Sequence, residues 1–333
     1  MSNWTEEKEK KILTKYRFTL TFRILRITIA VLIAYFLVVS GMKWIIIQTT
    51  NPLKYAHDAD TMLLITEPNI HIEYRFWVYP EIDSFFTQTI KYPIYKKVGN
   101  GEIEIGEVEI KKKLFQRKPT MTVNKKPQYS NTFEFYLPED PTGGTPLDAP
   151  EKPGQWEKLE KVHEGTVAEM AFSMDRYYSM EELLTLLEGY DIHVLWMPLN
   201  VGERAFPYMS SSGGEEGYIN YVPGQGLGIG RVSTVDEEYR HSMSISRPFV
   251  DGAEQMRDIY LVNLQGLIEE STFQEHIFTK EYLEKYYKGI EENDFQVYGA
   301  VVTGPVKELL KLKEVEGLRA AQVGDVTFWN WDE

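Results

Sequence analysis

The sequence predicts an α+β protein: a single N-terminal transmembrane helix followed by a strand-rich domain and a mixed α+β domain with a mainly antiparallel sheet. Three observations carry that expectation. An apolar run of 21 residues, Ile27–Ile47, stands near the start. Segments with a two-residue polar and apolar period fill the stretch up to about residue 137. Beyond residue 157, strand-like and helix-like periods are interleaved.

Residues 1–26 form a short basic segment in which Lys8, Lys10, Lys11, Lys15, Arg17, Arg23 and Arg26 face only Glu6, Glu7 and Glu9, a net charge of +4. In Ile27–Ile47 only Thr28, Ser40, Gly41 and Lys43 are not apolar. As a helix this run rises about 31 Å, enough for a hydrocarbon core of about 30 Å. Twelve of its residues are Ile, Leu, Val or Phe. Each favours insertion by about 0.3–0.6 kcal/mol, against at most about 3 kcal/mol for a lysine at the bilayer centre, so insertion wins. The expected anchor is framed by Arg23, Arg26 and Ile27 at one end and by Lys43, Trp44 and Ile47 at the other. Lys43 is close enough to the end to snorkel, and Trp44 is an interfacial residue. A buried core helix would rarely be this long without a charge. A cleavable signal peptide is the stronger rival, yet the basic preamble and the long apolar run fit an uncleaved anchor better. Seven Lys and Arg precede the run and only Lys54 follows within 20 residues, which places the amino terminus in the cytoplasm and residues 48–333 outside the cell membrane.

Residues 48–136 read as a strand-rich domain: Ile70–Tyr79, Glu102–Ile110 with polar and apolar residues in turn, and Asn131–Leu137. The compact trio His57, Asp58 and Asp60 lacks the glycine turn and distal glutamate of a calcium loop and reads as a polar stalk after the membrane. Five prolines and three glycines in Leu137–Trp156 make residues 137–156 a linker or long exposed connection. Residues 157–333 then mix periods. Thr166–Met174 is a strand, and Ser179 with Glu182 forms a capping box ahead of the apolar face Leu183, Leu184, Leu186 and Leu187. Asp191–Leu199 returns as a strand, Glu254–Leu267 and Thr279–Glu291 are helical, and Phe295–Gly304 is a strand. Pro305 opens a further helix, and Asp325–Trp331 is extended.

The net charge of −14 argues against direct nucleic-acid binding, and the absence of cysteine removes disulfides, thiolate metal sites and cysteine nucleophiles. Charge is unevenly spread: residues 91–126 carry +6 and residues 127–333 carry −21. Lys111, Lys112, Lys113, Arg117 and Lys118 form a candidate patch for an anionic partner, be it the acidic second domain, a wall polymer or lipid headgroups. The plainer reading is a solvated strand rim that discourages edge pairing. The six histidines fall at no metal-ligand spacing and no nucleophile has an evident base, so neither an enzyme nor a cofactor is expected. Pro223–Gly230 has alternating glycines followed by an extended run, which fits a strand lying close to another backbone better than a phosphate loop. Thr303 and Gly304 stand at a helix start, where a plain cap is the commoner role than anion binding. Trp196, Trp329 and Trp331 are more in keeping with core positions than with a ligand groove.

The order of KYRFTLTFRILR ahead of the apolar run, then GEIEIGEVEIKKKLF, VAEMAFSMDRYYSMEELLTLL, HVLWMPL and YGAVVTGPVKELLKL, resembles the sigma-factor regulator proteins of Gram-positive bacteria. The resemblance runs from about Lys15 to about Trp329. It implies a membrane-anchored, anti-sigma-like protein with paired N- and C-terminal regulator domains, a cytoplasmic portion that engages an extracytoplasmic-function sigma factor, and outer domains that receive an envelope signal. The 26 residues ahead of Ile27 hold at most one helix of about 39 Å, room for a partner contact or an anchor at the anionic inner leaflet rather than for a multi-helix inhibitory region. The expected function is thus a non-enzymatic, single-pass regulator or envelope sensor acting through protein partners, a sigma factor or a second membrane regulator. The alternative is a structural or wall-polymer-binding envelope module without sigma-factor control.

Overall fold

A computed structural model describes residues 6–73, 80–129, 132–140, 144–163, 165–202, 220–221, 226–237, 239, 242–270, 272–273 and 279–328. The first element is one unbroken helix, α1 (Glu6–Thr49), which contains the whole apolar run and most of the basic segment and buries no residue. It is long and apolar enough to cross a membrane.

Helix α2 (Pro52–Thr66) follows after Thr50 and Asn51. Asn51 is its N-cap, its side chain accepting a hydrogen bond from the Lys54 N–H, and Pro52 supplies the preset φ of a first helical residue. Here the structure departs from the expected polar stalk. His57 and Asp60 are buried on α2, because Tyr55, Ala56, Ala59 and Leu63 on the same helix form an apolar face that is covered on several sides.

The first sheet has the order β1 (His71–Ile72), β3 (Gln88–Val98), β4 (Gly101–Lys112), β5 (Thr120–Lys125), with β2 (Glu81–Ile82) also paired to β3; all pairs are antiparallel. Gly99 and Asn100 close the β3–β4 hairpin, and Gly99 has φ +62°, a conformation a two-residue hairpin requires and other residues resist. The alternation expected over Glu102–Ile110 holds in two halves rather than throughout. Ile103 and Ile105 occupy odd positions, Val108 and Ile110 even ones, and the register of β4 against β3 slips between Glu104 and Gly106. This bulge turns the second half by one residue, so that both sets of apolar side chains meet the same core with Ile90, Tyr92 and Ile94. Of the strand expected over Ile70–Tyr79, His71–Ile72 is observed and residues 74–79 lie outside the described residues; of Asn131–Leu137, the strand is β6 (Phe135–Tyr136).

The second sheet runs β10 (Gly228–Ile229), β8 (His193–Pro198), β13 (Val297–Pro305), β7 (Thr166–Tyr178), β14 (Leu318–Phe328), again antiparallel throughout. Its two central strands are buried on both faces, which explains their near-continuous apolar reading. Period two divides β7: Ala168, Met170, Phe172 and Met174 face the core shared with the helices, whereas Glu169, Ala171 and Ser173 point the other way. The helical side comprises α3 (Gln155–Glu160), α4 (Met180–Leu187), α5 (Ala253–Glu270), α6 (Lys280–Glu292) and α7 (Val306–Lys311). The capping box of Ser179 and Glu182 is formed in both directions at the start of α4. Pro305 is the N-cap of α7 rather than its first residue. Two small ribbons complete the set, β6 with β9 (Asn220–Tyr221) and β11 (Val232–Val235) with β12 (Ser242–Ile245). Along residues 137–156, Arg319 on β14 donates to the carbonyls of Leu137 and Leu147, and Lys152 to Gln322, which holds the Pro-rich stretch against the second sheet.

Candidate functional site at the juxtamembrane helix

Two of the residues that frame the apolar run, Arg26 and Ile27, lie in the same helical turn of α1, with Arg23 one turn before them; Lys43, Trp44 and Ile47 occupy its last two turns. The helix then hands over to α2 through a short joint that is itself fastened. The Thr50 hydroxyl donates to Gln88 Oε1 at 3.0 Å, and the Tyr92 hydroxyl to the Pro52 carbonyl at 2.9 Å.

Helix α2 sits between both sheets. Toward the first, Tyr55, Ala59 and Leu63 join Ile90, Tyr92, Ile94, Val108 and Ile110 in one core. Toward the second, Trp196 Nε1 donates to the Leu64 carbonyl at 3.0 Å, and Ile65 enters the core on the helical side. Its outer side is tied to the end of α5, where Lys54 pairs with Glu270 and Asp58 accepts from Thr272. Trp196 is thus a core residue with a defined partner; Trp329 and Trp331 lie outside the described residues.

Around α2 lies a buried polar set. Asp60 is fully buried; its Oδ1 accepts from the Ile72 N–H at 2.6 Å, while Oδ2 has no hydrogen-bond partner among the described residues. The same holds for His57 Nδ1, Thr61 Oγ1, Arg231 Nε and Ser233 Oγ. Burial pushes the Asp60 carboxyl up to about 6, against the opposing pull of Arg231 and the Ile72 N–H. Burial, with Lys54 nearby, pushes His57 down to about 4. Burial also drives His71 down to about 4, with Arg231 and Lys97 acting in the same sense and Glu73 against them. His71 Nε2 lies 3.3 Å from Glu102 Oε1. No group of three His, Asp or Glu suited to a metal ion occurs among the described residues. The arrangement can hold α2 in one position and make that position sensitive to protonation.

A second buried polar contact joins the sheets directly. Glu169, 1% exposed, accepts from Asn69 Nδ2 and from Lys96 Nζ, each at 2.6 Å, and Lys96 also reaches Asp325 at 2.5 Å. Burial opposes the Lys96 charge, but Glu169 and Asp325 outweigh it and hold the ammonium above the ordinary lysine value. The Gly99 N–H donates to the Thr303 hydroxyl at 2.7 Å, which in turn donates to the Ala168 carbonyl at 2.8 Å. Thr303 therefore serves the seam between the sheets. A cleft of about 350 Å³ opens beside it, between the β3–β4 turn and the end of β13.

Of the basic patch, Lys111 and Lys112 end β4, and Lys113, Arg117 and Lys118 stand in the loop to β5. Lys111 pairs with Glu109 and Lys112 reaches the Tyr55 hydroxyl, so part of the patch touches α2. In Pro223–Gly230, whose residues 223–225 lie outside the described set, Gly228 and Gly230 let β10 approach β8. A Cβ on Gly228 would fall 2.0 Å from the Trp196 ring, and one on Gly230 would fall 2.5 Å from the Leu195 carbonyl. The sequence reading missed α2 itself, although Asn51–Pro52 is a helix-start signature and Ala56, Ala59 and Leu63 keep a helical spacing.

Comparison with known proteins fits this architecture. Residues 10–103 match the sigma factor regulator N-terminal family, and residues 159–325 match the sigma factor regulator C-terminal family. The chain belongs to the sigma factor regulator family. The N-terminal match begins in the basic segment and ends in the β3–β4 hairpin, so it contains α1, α2 and the joint between them. This sigma factor regulator is also similar to the probable anti-sigma-M factor YhdL of Bacillus subtilis (strain 168), at 22% identity over 288 residues, 84% of this chain and 70% of that protein. No solved structure matches the chain.

Proposed function

We propose that this sigma factor regulator is a single-pass membrane protein, with residues 1–26 in the cytoplasm and both sheets outside, that reports an envelope condition to an extracytoplasmic-function sigma factor through protein contacts rather than catalysis. The observation that carries the reading is α2: it is packed between both sheets and separated from the membrane helix by two residues, so the outer body and α1 are coupled through it. The orientation rests on the seven Lys and Arg ahead of the apolar run. The name of the Bacillus relative points to sigma M as the kind of partner.

Two expected results test the reading. A reporter enzyme active only outside the membrane, fused after Glu333, is active; activity from a cytoplasm-only reporter at the same point overturns the orientation. Replacing Ile12, Leu13 and Tyr16 by serine removes three exposed apolar side chains of the first helical turns while keeping every basic residue. It alters transcription from sigma-dependent promoters several-fold. Unchanged transcripts with an intact, correctly oriented protein overturn a role for this segment in sigma-factor control.

A further inference from the structure

One end of the first sheet carries a surface unlike the rest. The β2–β3 turn and the loop after β4 lie side by side, because Gln88 pairs with Lys112 and Thr89 with Lys111. At their tips stand Phe85, 86% exposed, and Phe115, 94% exposed. Lys111, Lys112, Lys113, Arg117 and Lys118 surround them and outnumber Glu81, Asp83 and Glu109. Lys113, Arg117 and Lys118 make no ion pair among the described residues. Exposed aromatic rings ringed by cations on a folded surface are costly in water and well suited to an anionic interface.

The place of this end relative to α1 decides what it meets. Thr50 is bonded to Gln88, and Lys112 to Tyr55, so the end lies where α1 emerges. Asp83 in the β2–β3 turn is held below the ordinary carboxylate value first by the Thr87 N–H and, among smaller influences, by the charge of Lys43. Lys43 precedes Thr50 by about 10 Å of helix. Met42, Lys43 and Ile46 are half-buried on a helix that is otherwise almost wholly exposed, so the outer body reaches back along α1 to the level of Lys43 and Trp44, where an apolar run ending at Ile47 meets the headgroups.

We propose that this end of the sheet is a lipid-docking surface, in which Phe85 and Phe115 enter the boundary between headgroups and acyl chains while Lys111, Lys112, Lys113, Arg117 and Lys118 bind the phosphates of anionic glycerophospholipids. The inference rests on α1 crossing a membrane, but not on its orientation or on control of a sigma factor. Docking at two points, α1 and the sheet end, fixes the angle of the outer body on the bilayer, which a single helix does not.

The test uses the full chain. It has no cysteine, so Ser84→Cys gives a unique site beside Phe85 for an environment-sensitive fluorophore. The labelled protein is placed in nanodiscs of phosphatidylcholine alone or mixed with phosphatidylglycerol, with nitroxide-bearing lipid as quencher. Quenching is expected in the anionic discs and is weaker in the neutral ones. Lys113→Gln, Arg117→Gln and Lys118→Gln together reduce it, each lost charge lowering the ratio of docked to undocked protein about fivefold. A Phe85→Ser and Phe115→Ser pair reduces it as well. Equal quenching before and after the charge replacements, or none in either disc, overturns the proposal. Retention on immobilised polyglycerol phosphate without quenching in anionic discs also overturns it and assigns the patch to wall polymer. Incorporation of the chain into discs at all reports on α1 separately, and circular dichroism confirms that the variants are folded.

Discussion

Replacing Glu169 by alanine lowers the unfolding free energy by about 3 kcal/mol, the low end of the range for breaking a buried ion pair. The carboxylate is 1% exposed and holds both Asn69 and Lys96. Its loss leaves Lys96, 14% exposed at its side chain, with Asp325 as its remaining acidic partner, which is why the cost stays at the low end. Glu169→Gln preserves the shape and one acceptor, and costs less. Replacing Glu169 and Lys96 together by methionine recovers most of the loss, because an apolar pair has no charge to desolvate. Chemical denaturation in detergent of the wild type, Glu169→Met, Lys96→Met and the double replacement gives the coupling energy; an unchanged midpoint for Glu169→Ala would show that the seam between the sheets bears no load.

Acidification from pH 7 to pH 5 is the second expected result with a large effect, and its sign follows from three groups around α2. His57 and His71 have folded values of about 4 against an ordinary 6.5. Their contribution is complete above 6.5 and is lost as the pH falls toward 4, about 2 kcal/mol each by pH 5. Asp60 works in the opposite sense: raised from 3.8 to about 6, it favours the fold below 3.8, and that help is lost as the pH rises through 6. It returns about 1 kcal/mol between pH 7 and pH 5. The net loss is about 3 kcal/mol. Lys54, Asp58, Glu73, Lys97, Glu102 and Arg231 surround these groups and fix the size of the effect. Changing both His57 and His71 to asparagine reverses the slope, leaving Asp60 to make the protein more stable at pH 5 than at pH 7. A wild-type stability that does not change over this interval would contradict the burial of the two imidazoles.

Local signals made much of this fold legible. The apolar run of α1, the capping box at Ser179 and Glu182, and the two-sided apolar reading of β13 each follow from short-range chemistry. What the sequence hid were features whose meaning depends on a distant partner. His57, Asp58 and Asp60 look like solvated residues until both sheets close over α2. Glu169 reads as one polar residue of a strand, and its partner Lys96 lies 73 residues away within a segment whose basic residues read as a rim. The bulge in β4 was written in the chain as a change from odd to even apolar positions across Gly106, a signal that a simple alternating pattern conceals.

The continuity of α1 has a mechanical consequence. A helix hydrogen-bonded without interruption from Glu6 to Thr49, about 66 Å long, behaves as a stiff rod. It has no proline, and the adjacent Ser40 and Gly41 are the point at which its backbone bends most readily. A rotation or axial push applied at the fastened joint around Thr50 is carried along this helix toward the basic residues from Lys8 to Arg26, which share the same unbroken hydrogen-bonded backbone.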